Sequence, residues 1–196
     1  MKWWVLFLFS FLLSVTYASG WTIEKFKDGI KIYTRKVAES SVEEFRAFAT
    51  IDAPRETVFK AILEVEKFPN WFPDITEAKE ISRTSFNNRI IYYRLDCPWP
   101  ADDRDVVLES NVSVDDEKGV SIIQVKEKLN IKSKVDGVVR MPKSRGFWKF
   151  TSIGDKTQVH YQMLADPGGV MPSWLINMFI VDSPFDALVA LRKRVE

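Results

Sequence analysis

Two charged residues lie where strand alternation predicts apolar side chains. Arg104 shares the parity of Val106 in one strand-like segment, and Glu127 shares that of Val125 in the next. A tight hairpin would place Arg104 within about one diagonal step of Glu127 on the same face. An inward ion pair stabilises a fold poorly compared with apolar packing, so the pattern favours a functional pair inside a cavity. The alternative is that both side chains reach water at the rim of the sheet.

Other residues that carry chemistry are scarce, since the chain has one His and one Cys. That is too few for a transition-metal site built from the usual ligands. His160 shares its face with Gln158 and Gln162 and is expected to be solvated. Cys97 has the parity of Leu95 and is expected to be a small buried group. No phosphate-binding Gly loop or nucleophile elbow is present, so the sequence predicts neither a cofactor nor a metal.

The N-terminal segment has the composition of a secretory signal peptide. Lys2 precedes an uncharged apolar run from Trp3 to Leu13, and small residues follow. We therefore expect residues 1–20 to be a cleaved signal and residues 21–196 to form one domain, periplasmic or secreted. The alternative is a retained N-terminal anchor. Without this segment the chain has 27 basic and 27 acidic residues, which disfavours a nucleic-acid partner.

The remaining chain reads as an α+β domain built on an antiparallel sheet. Alternating apolar and polar residues predict about nine strands, with one helix inserted after Asp52 and a long helix at the C-terminus. The predicted strands cover residues 30–35, 43–51, 75–82, 89–97, 104–114, 120–131, 138–141, 147–153 and 157–165. Helices on one face of such a sheet would bury its apolar side.

Large side chains recur on the predicted inner face of the sheet. Trp148 and Phe150 share one strand face, Tyr161 and Met163 share the next, and Tyr93 lies on an earlier strand. Such rows most often form a solid core, but together with an inward charge they also fit the wall of a cavity.

The C-terminal helix pattern begins near Pro172, after a Gly-rich turn, and is interrupted once. Its apolar face includes Trp174, Met178 and Phe179 at helical spacing. Ser183-Pro184 predicts either a kink or the start of a second helix.

Several short motifs together resemble the START (StAR-related lipid-transfer) domain family. In chain order they are Cys97-Pro98-Trp99-Pro100, Arg104-Asp105-Val106, Gly137-Val138-Val139-Arg140, Gly146-Phe147-Trp148, Asp166-Pro167-Gly168-Gly169, and Pro172 with Trp174, Leu175 and Asn177. The resemblance covers nearly all of the chain after the signal segment. It implies a helix-grip fold, in which a curved antiparallel sheet wraps the C-terminal helix around a tunnel for one lipid. It also implies that Arg104 lies in that tunnel with an acidic partner.

We therefore expect non-covalent binding, and possible transfer, of one lipid or other hydrophobic molecule by a monomer that contacts membranes transiently. The expected ligand-binding residues are Arg104, Glu127, Tyr93, Trp148, Phe150, Tyr161, Met163, Trp174, Met178 and Phe179. One alternative is a helix-grip enzyme, a cyclase or hydrolase, that uses Arg104, Glu127, Tyr93 and Tyr161 as acid and base groups. Another is an interaction module with an exposed aromatic patch of Trp71, Phe72 and Trp99.

A ligand buried beneath a terminal helix requires something to move. Gly168, Gly169 and Pro184 are the predicted hinges, because Gly tolerates large backbone changes and Pro removes one helical hydrogen bond. The segment 166–183 is expected to swing away from the sheet and expose Trp174 and Phe179 to a membrane surface. The loop 136–146 is the alternative gate.

Overall fold

The structure, a computed structural model, describes residues 20–196. Nearly all of the predicted signal segment, residues 1–19, lies outside the described residues. The described part forms a ten-stranded sheet with helices on one face, which confirms the predicted α+β helix-grip class. The strands are β1 Thr22–Lys27, β2 Ile30–Arg35, β3 Glu44–Ile51, β4 Ile75–Ser85, β5 Asn88–Leu95, β6 Asp103–Asp115, β7 Val120–Glu127, β8 Val138–Arg140, β9 Lys143–Ile153 and β10 Lys156–Asp166.

The strands are paired in the order β1-β2-β3-β10-β9-β7-β6-β5-β4, and the neighbours along this path are antiparallel. The short strand β8 lies off this path and pairs with β6 in parallel, at Asp103–Asp105. Strand β1 was not predicted as a strand. Its residues are mostly exposed, so the alternation that marks a half-buried strand is weak there.

Strand β7 is shorter than its sequence pattern indicates. The alternation continues to Ile131, but the strand ends at Glu127. Leu129 and Ile131 are 51% and 47% exposed and do not belong to an inner face. Alternation alone therefore extended the predicted strand by four residues beyond its last paired position.

Strands β9 and β10 approach each other closely at Gly146. A Cβ atom added there would lie 2.0 Å from the carbonyl oxygen of Gln162 and 2.8 Å from Cα of Met163. Only glycine fits this contact, which explains the small residue beside the large Trp148 in the motif.

The helices cover the inner face of the sheet. Helix α1 (Arg55–Leu63) continues into a 3₁₀ segment, Val65–Asn70. The C-terminal helix runs from α2 (Ser173–Asn177) through a π-helical turn (Met178–Asp182) into α3 (Ser183–Val195). Leu175, Leu188 and Leu191 are completely buried on its inner side, and this burial anchors the helix to the domain.

The π-helical turn accommodates Pro184. The backbone N–H of Ser183 bonds to the carbonyl of Met178, five residues earlier. A proline has no N–H and collides with the carbonyl four residues before it, so a local change of helical pitch relieves the conflict without ending the helix. The predicted interruption at Ser183-Pro184 is therefore a wide turn inside one continuous helix. This helix of 23 residues contains an 18-residue stretch with a mean hydropathy of 1.4, so by length and composition it could span a membrane, but it packs on the sheet.

Candidate functional site: an internal cavity

An internal cavity lies between the sheet and the C-terminal helix. Its wall includes side chains from seven strands of the sheet, from α1 with the following 3₁₀ segment, and from the C-terminal helix. The space free of protein atoms is about 920 Å³ with its open part included, and the centre of a water molecule can occupy about 120 Å³ of it. For comparison, an engineered apolar cavity of about 150 Å³ holds one benzene molecule. The closed form therefore has room for only part of a lipid.

Aromatic side chains form much of the wall. Trp148 and Tyr161 are cross-strand partners and stack with their ring centroids 3.7 Å apart and their planes 10° from parallel. Phe68 stacks on Tyr93 at 5.5 Å and on Phe72 at 5.1 Å. Rigid rings with a large apolar area suit recognition of an apolar ligand at low entropic cost.

The hydroxyl groups of Tyr93 and Tyr161 belong to this wall. Removal from water raises the pKa of both groups well above the ordinary value. Both residues nevertheless retain some accessible surface. That surface therefore faces the cavity rather than bulk water, and both phenols stay protonated and able to donate a hydrogen bond at neutral pH.

Arg89 is the charged residue in the described part of the cavity wall, and it is not among the residues predicted from the sequence. It is 4% exposed, and burial lowers the pKa of its guanidinium. Strand alternation could have identified it, because Arg89 has the parity of Ile91 and Tyr93 on β5, and both of those residues also line the cavity.

The predicted ion pair between Arg104 and Glu127 is not formed. Arg104 is buried, but Nε and Nη2 donate to the carbonyl oxygens of Pro167 and Gly168, each at 3.3 Å, and Nη1 donates to that of Asp102. Glu127 instead accepts a hydrogen bond of 3.0 Å from the backbone N–H of Ser144.

The register of the sheet explains this correction. Glu127 lies opposite Leu108 rather than Arg104, because β7 ends there and β8 occupies the next position beside β6. Neither Arg104 nor Glu127 lines the cavity. The carboxylate of the neighbouring Asp105 pairs with Arg140 at 2.6 Å, and both side chains are buried on the other side of the sheet.

The other predicted ligand-binding residues divide into two groups. Tyr93, Trp148, Tyr161, Met163 and Phe179 line the cavity, where ligand binding remains a prediction for each.

Phe150, Trp174 and Met178 do not line it. Phe150 is fully buried against Phe59 of α1, so it belongs to the solid core. Trp174 is 53% exposed at the start of the C-terminal helix, and Met178 packs near Cys97.

The predicted hinge residues surround the segment that closes the cavity. Gly168 and Gly169 have φ values of 65° and 67°, in the left-handed region that favours glycine. Pro184 lines the cavity at the end of the π-helical turn. Phe179 therefore lies within the predicted movable segment 166–183, and Pro184 lies at its predicted hinge.

The remaining sequence expectations have different outcomes. Cys97 is buried as predicted. His160 is wrongly predicted to be solvated, because its ring stacks on Phe48 at 4.3 Å and its Nε2 is buried. The proposed exposed aromatic patch is also not formed as a unit, since Phe72 lines the cavity whereas Trp99 is 89% exposed. Within residues 20–196, no group of three His, Cys, Asp or Glu side chains is placed to hold a metal ion.

A large antiparallel sheet closed by a C-terminal helix over an apolar cavity defines the helix-grip class of proteins. Within this class, the chain belongs to the START domain family, whose sequence model matches residues 15–196. It is 32% identical over 180 residues to an uncharacterised protein of Pseudomonas aeruginosa, covering 91% of this chain and 88% of that protein.

Two solved structures illustrate the likeness. A STAR-related lipid transfer protein from Xanthomonas axonopodis superposes with a TM-score of 0.81 and 32% identity, covering 89% of this chain and 98% of that fragment. An aromatase/cyclase from a Streptomyces species has a TM-score of 0.53 and 14% identity, covering 77% of this chain and 92% of that one. The second likeness shows the fold alone, and it shows that this fold also occurs in enzymes.

Proposed function

We propose that this protein binds one lipid-like molecule non-covalently in the internal cavity and carries it between membranes. The observation that supports this most directly is the wall itself, in which stacked aromatic and aliphatic side chains surround unfilled space beneath a helix. Without a ligand, the side chains around such a space lack contacts that a filled core provides, and each missing contact costs dispersion and transfer free energy. An apolar ligand that fills the space therefore stabilises the domain. The family's relation to lipid transfer is consistent with this interpretation.

Apolar burial would supply most of the affinity. Each Å² of apolar ligand surface contributes about 25 cal/mol before the costs of association. Since the closed cavity accommodates only part of a lipid, binding requires the C-terminal helix to move outward. The two glycines and the π-helical turn are the places where that motion costs least.

The enzymatic alternative receives little support from the geometry. Two of its four acid and base candidates, Arg104 and Glu127, do not line the cavity. The other two are phenols whose raised pKa keeps them protonated, so neither is a base at neutral pH.

Export remains part of the proposal and is supported by the composition of residues 1–20. Expression of the full chain in a Gram-negative bacterium, followed by fractionation and mass measurement, tests it. A periplasmic product that begins near Trp21 is expected, whereas a full-length membrane-bound product would favour a retained anchor.

Extraction of purified protein with organic solvent, followed by mass spectrometry, tests the cargo proposal. The expected result is a hydrophobic molecule near one equivalent per chain. A protein that is folded and monomeric, yet releases nothing and takes up nothing from a mixed lipid extract, would contradict the proposal.

A further inference from the structure

The cavity wall contains one charge that its surroundings do not fully neutralise. Nη1 of Arg89 donates to the carbonyl oxygen of Leu63 at 2.9 Å and lies 3.7 Å from a carboxylate oxygen of Glu80. Glu80 is bound more closely by Arg83, which donates from two nitrogens at 2.7 and 2.5 Å. The carboxylate of Glu80 is therefore shared by the guanidinium groups of Arg83 and Arg89. These three side chains together retain a net positive charge.

Two hydrogen-bonding groups at this point have no partner. The Nε atom of Arg89 and the hydroxyl of Ser110 are both buried without a hydrogen bond. The two residues lie directly opposite each other on β5 and β6, and both line the cavity. A buried polar group without a partner costs about 1–3 kcal/mol, so two at adjacent positions on one cavity wall indicate a site for a missing ligand atom.

A third donor lies on the same strand. Tyr93 is four residues from Arg89 with the same parity, and the charge of Arg89 counteracts the effect of burial on its pKa. Both side chains line the cavity from the same face of β5. The protonated hydroxyl of Tyr93 adds a neutral donor to the charged one.

This arrangement discriminates between kinds of head group. A carboxylate can accept from the Nε edge of a guanidinium and from a hydroxyl at the same time, and one negative charge neutralises one positive charge in a medium of low dielectric. A zwitterionic head group would also bring a cation, and the described part of the cavity wall has no carboxylate to pair with it.

We infer that Arg89 and Ser110 bind a single carboxylate, and that the cargo is an amphiphile with one long apolar chain and one carboxylate head group. The inference rests on the proposed cargo function. A single chain also suits the narrow space, because the centre of a water molecule can occupy only about 120 Å³ of it before the helix moves.

The test compares three ligands that share an apolar chain: palmitic acid, methyl palmitate and palmitoyl-lysophosphatidylcholine. Binding is measured at pH 8, where a carboxyl group with an ordinary pKa of about 4 is ionised, and below the concentrations at which the ligands aggregate. We expect the acid to bind at least about tenfold more tightly than the ester, as one charge-assisted hydrogen bond would give. The zwitterionic ligand should bind no better than the ester.

Variants then identify the residues that cause the preference for the acid over the ester. Arg89→Met should remove the difference between acid and ester while retaining binding of the ester, and Ser110→Ala should reduce the difference severalfold. Glu80→Gln should increase it, because Arg89 loses its competing carboxylate. Arg94→Met is the matched control, since Arg94 lies on the same strand with the opposite parity and pairs with Asp103.

The outcomes separate the two proposals. Equal binding of acid and ester, or preference for the zwitterion, would overturn the carboxylate inference while leaving the cargo function standing. Failure of all three ligands to bind would overturn the inference, and it would contradict the cargo function as well if the protein also took up nothing from a mixed lipid extract. If Arg89→Met does not fold, the wild-type ligand series and Ser110→Ala still decide the inference.

Discussion

Arg104 holds the turn before the C-terminal helix by donating from Nε to the carbonyl oxygen of Pro167 at 3.3 Å. A second bond, from Nη2 to Gly168, lies within the same turn. In the described part of the chain this buried guanidinium has carbonyl partners and no ion pair. Arg104 therefore connects the sheet to the predicted hinge, which is a structural role.

Replacing Arg104 should loosen this turn. Hydrogen bonds to a charged group are worth about 1.5–3 kcal/mol each, so we expect Arg104→Met to lower the free energy of unfolding by about 3 kcal/mol. Amide hydrogen exchange should accelerate in residues 168–171. Arg145→Met is the control, because Arg145 forms an exposed ion pair with Glu39 that should contribute little to the free energy of unfolding. Equal losses in the two variants would show that Arg104 does not hold the turn.

Filling the cavity should remove ligand binding without unfolding the protein. Val125 lines the cavity on β7, and Val125→Phe would place a ring in unfilled space. Overpacking a filled core costs about 1–3 kcal/mol, but here the change in unfolding free energy should stay within about 1 kcal/mol. Affinity for a hydrophobic ligand should fall at least about tenfold, a difference of about 1.4 kcal/mol.

The matched control for this change is Val114→Phe on β6, where the side chain is largely exposed. It adds the same ring away from the cavity and should leave affinity unchanged. If both variants bind ligand as the wild type does, the ligand lies elsewhere.

His160 should make stability depend on pH. Burial, together with the nearby charge of Arg46, lowers the pKa of this imidazole below 6.5. The unfolded chain then binds more protons than the folded one, so stability is full above pH 6.5. It decreases as the pH falls from 6.5 through the folded pKa.

The imidazole is the only one in the chain, so its NMR signal can be followed directly. We expect a titration midpoint below 6.5 and a loss of this part of the pH dependence in His160→Phe. A midpoint at or above 6.5 in the folded protein would contradict the assignment of His160 to a buried stack.

The movable segment can be tested by a reversible cross-link. Phe45 of β3 and Ile180 of the π-helical turn pack in one cluster. In a Cys97→Ala background, Phe45→Cys and Ile180→Cys should form a disulfide that slows ligand exchange and leaves the fold unchanged. The reduced form of the same protein is the control. Equal exchange rates in the two forms would exclude this gate and favour the loop 136–146.

Strand alternation predicted much of the cavity wall. Tyr93, Trp148, Tyr161 and Met163 line the cavity because each was placed on the inner face by its parity within a regular, fully paired strand. Arg89 also has the parity of the inner face, but one charged residue at the start of a strand did not by itself indicate that its side chain lines the cavity.

The end of β7 and the path of the chain beyond it could not be predicted from the sequence. Leu129 continues the alternation although it is exposed, and β8 then takes the place beside β6 that Glu127 was expected to approach. The partners of Arg104 are backbone carbonyls, which every residue carries, so no residue type marks them in advance. Local patterns thus predicted the regular strands, whereas the contacts of Arg104 depend on the path of the whole chain.

Equilibrium binding of a fluorescent single-chain fatty acid, displaced by its unlabelled form, tests the central claim most directly. The account predicts saturable binding of one molecule per chain, with an affinity that falls at least about tenfold in Val125→Phe and is retained in Val114→Phe. Absence of saturable binding to the folded wild-type protein, or full binding to Val125→Phe, would contradict the claim that the internal cavity carries the cargo.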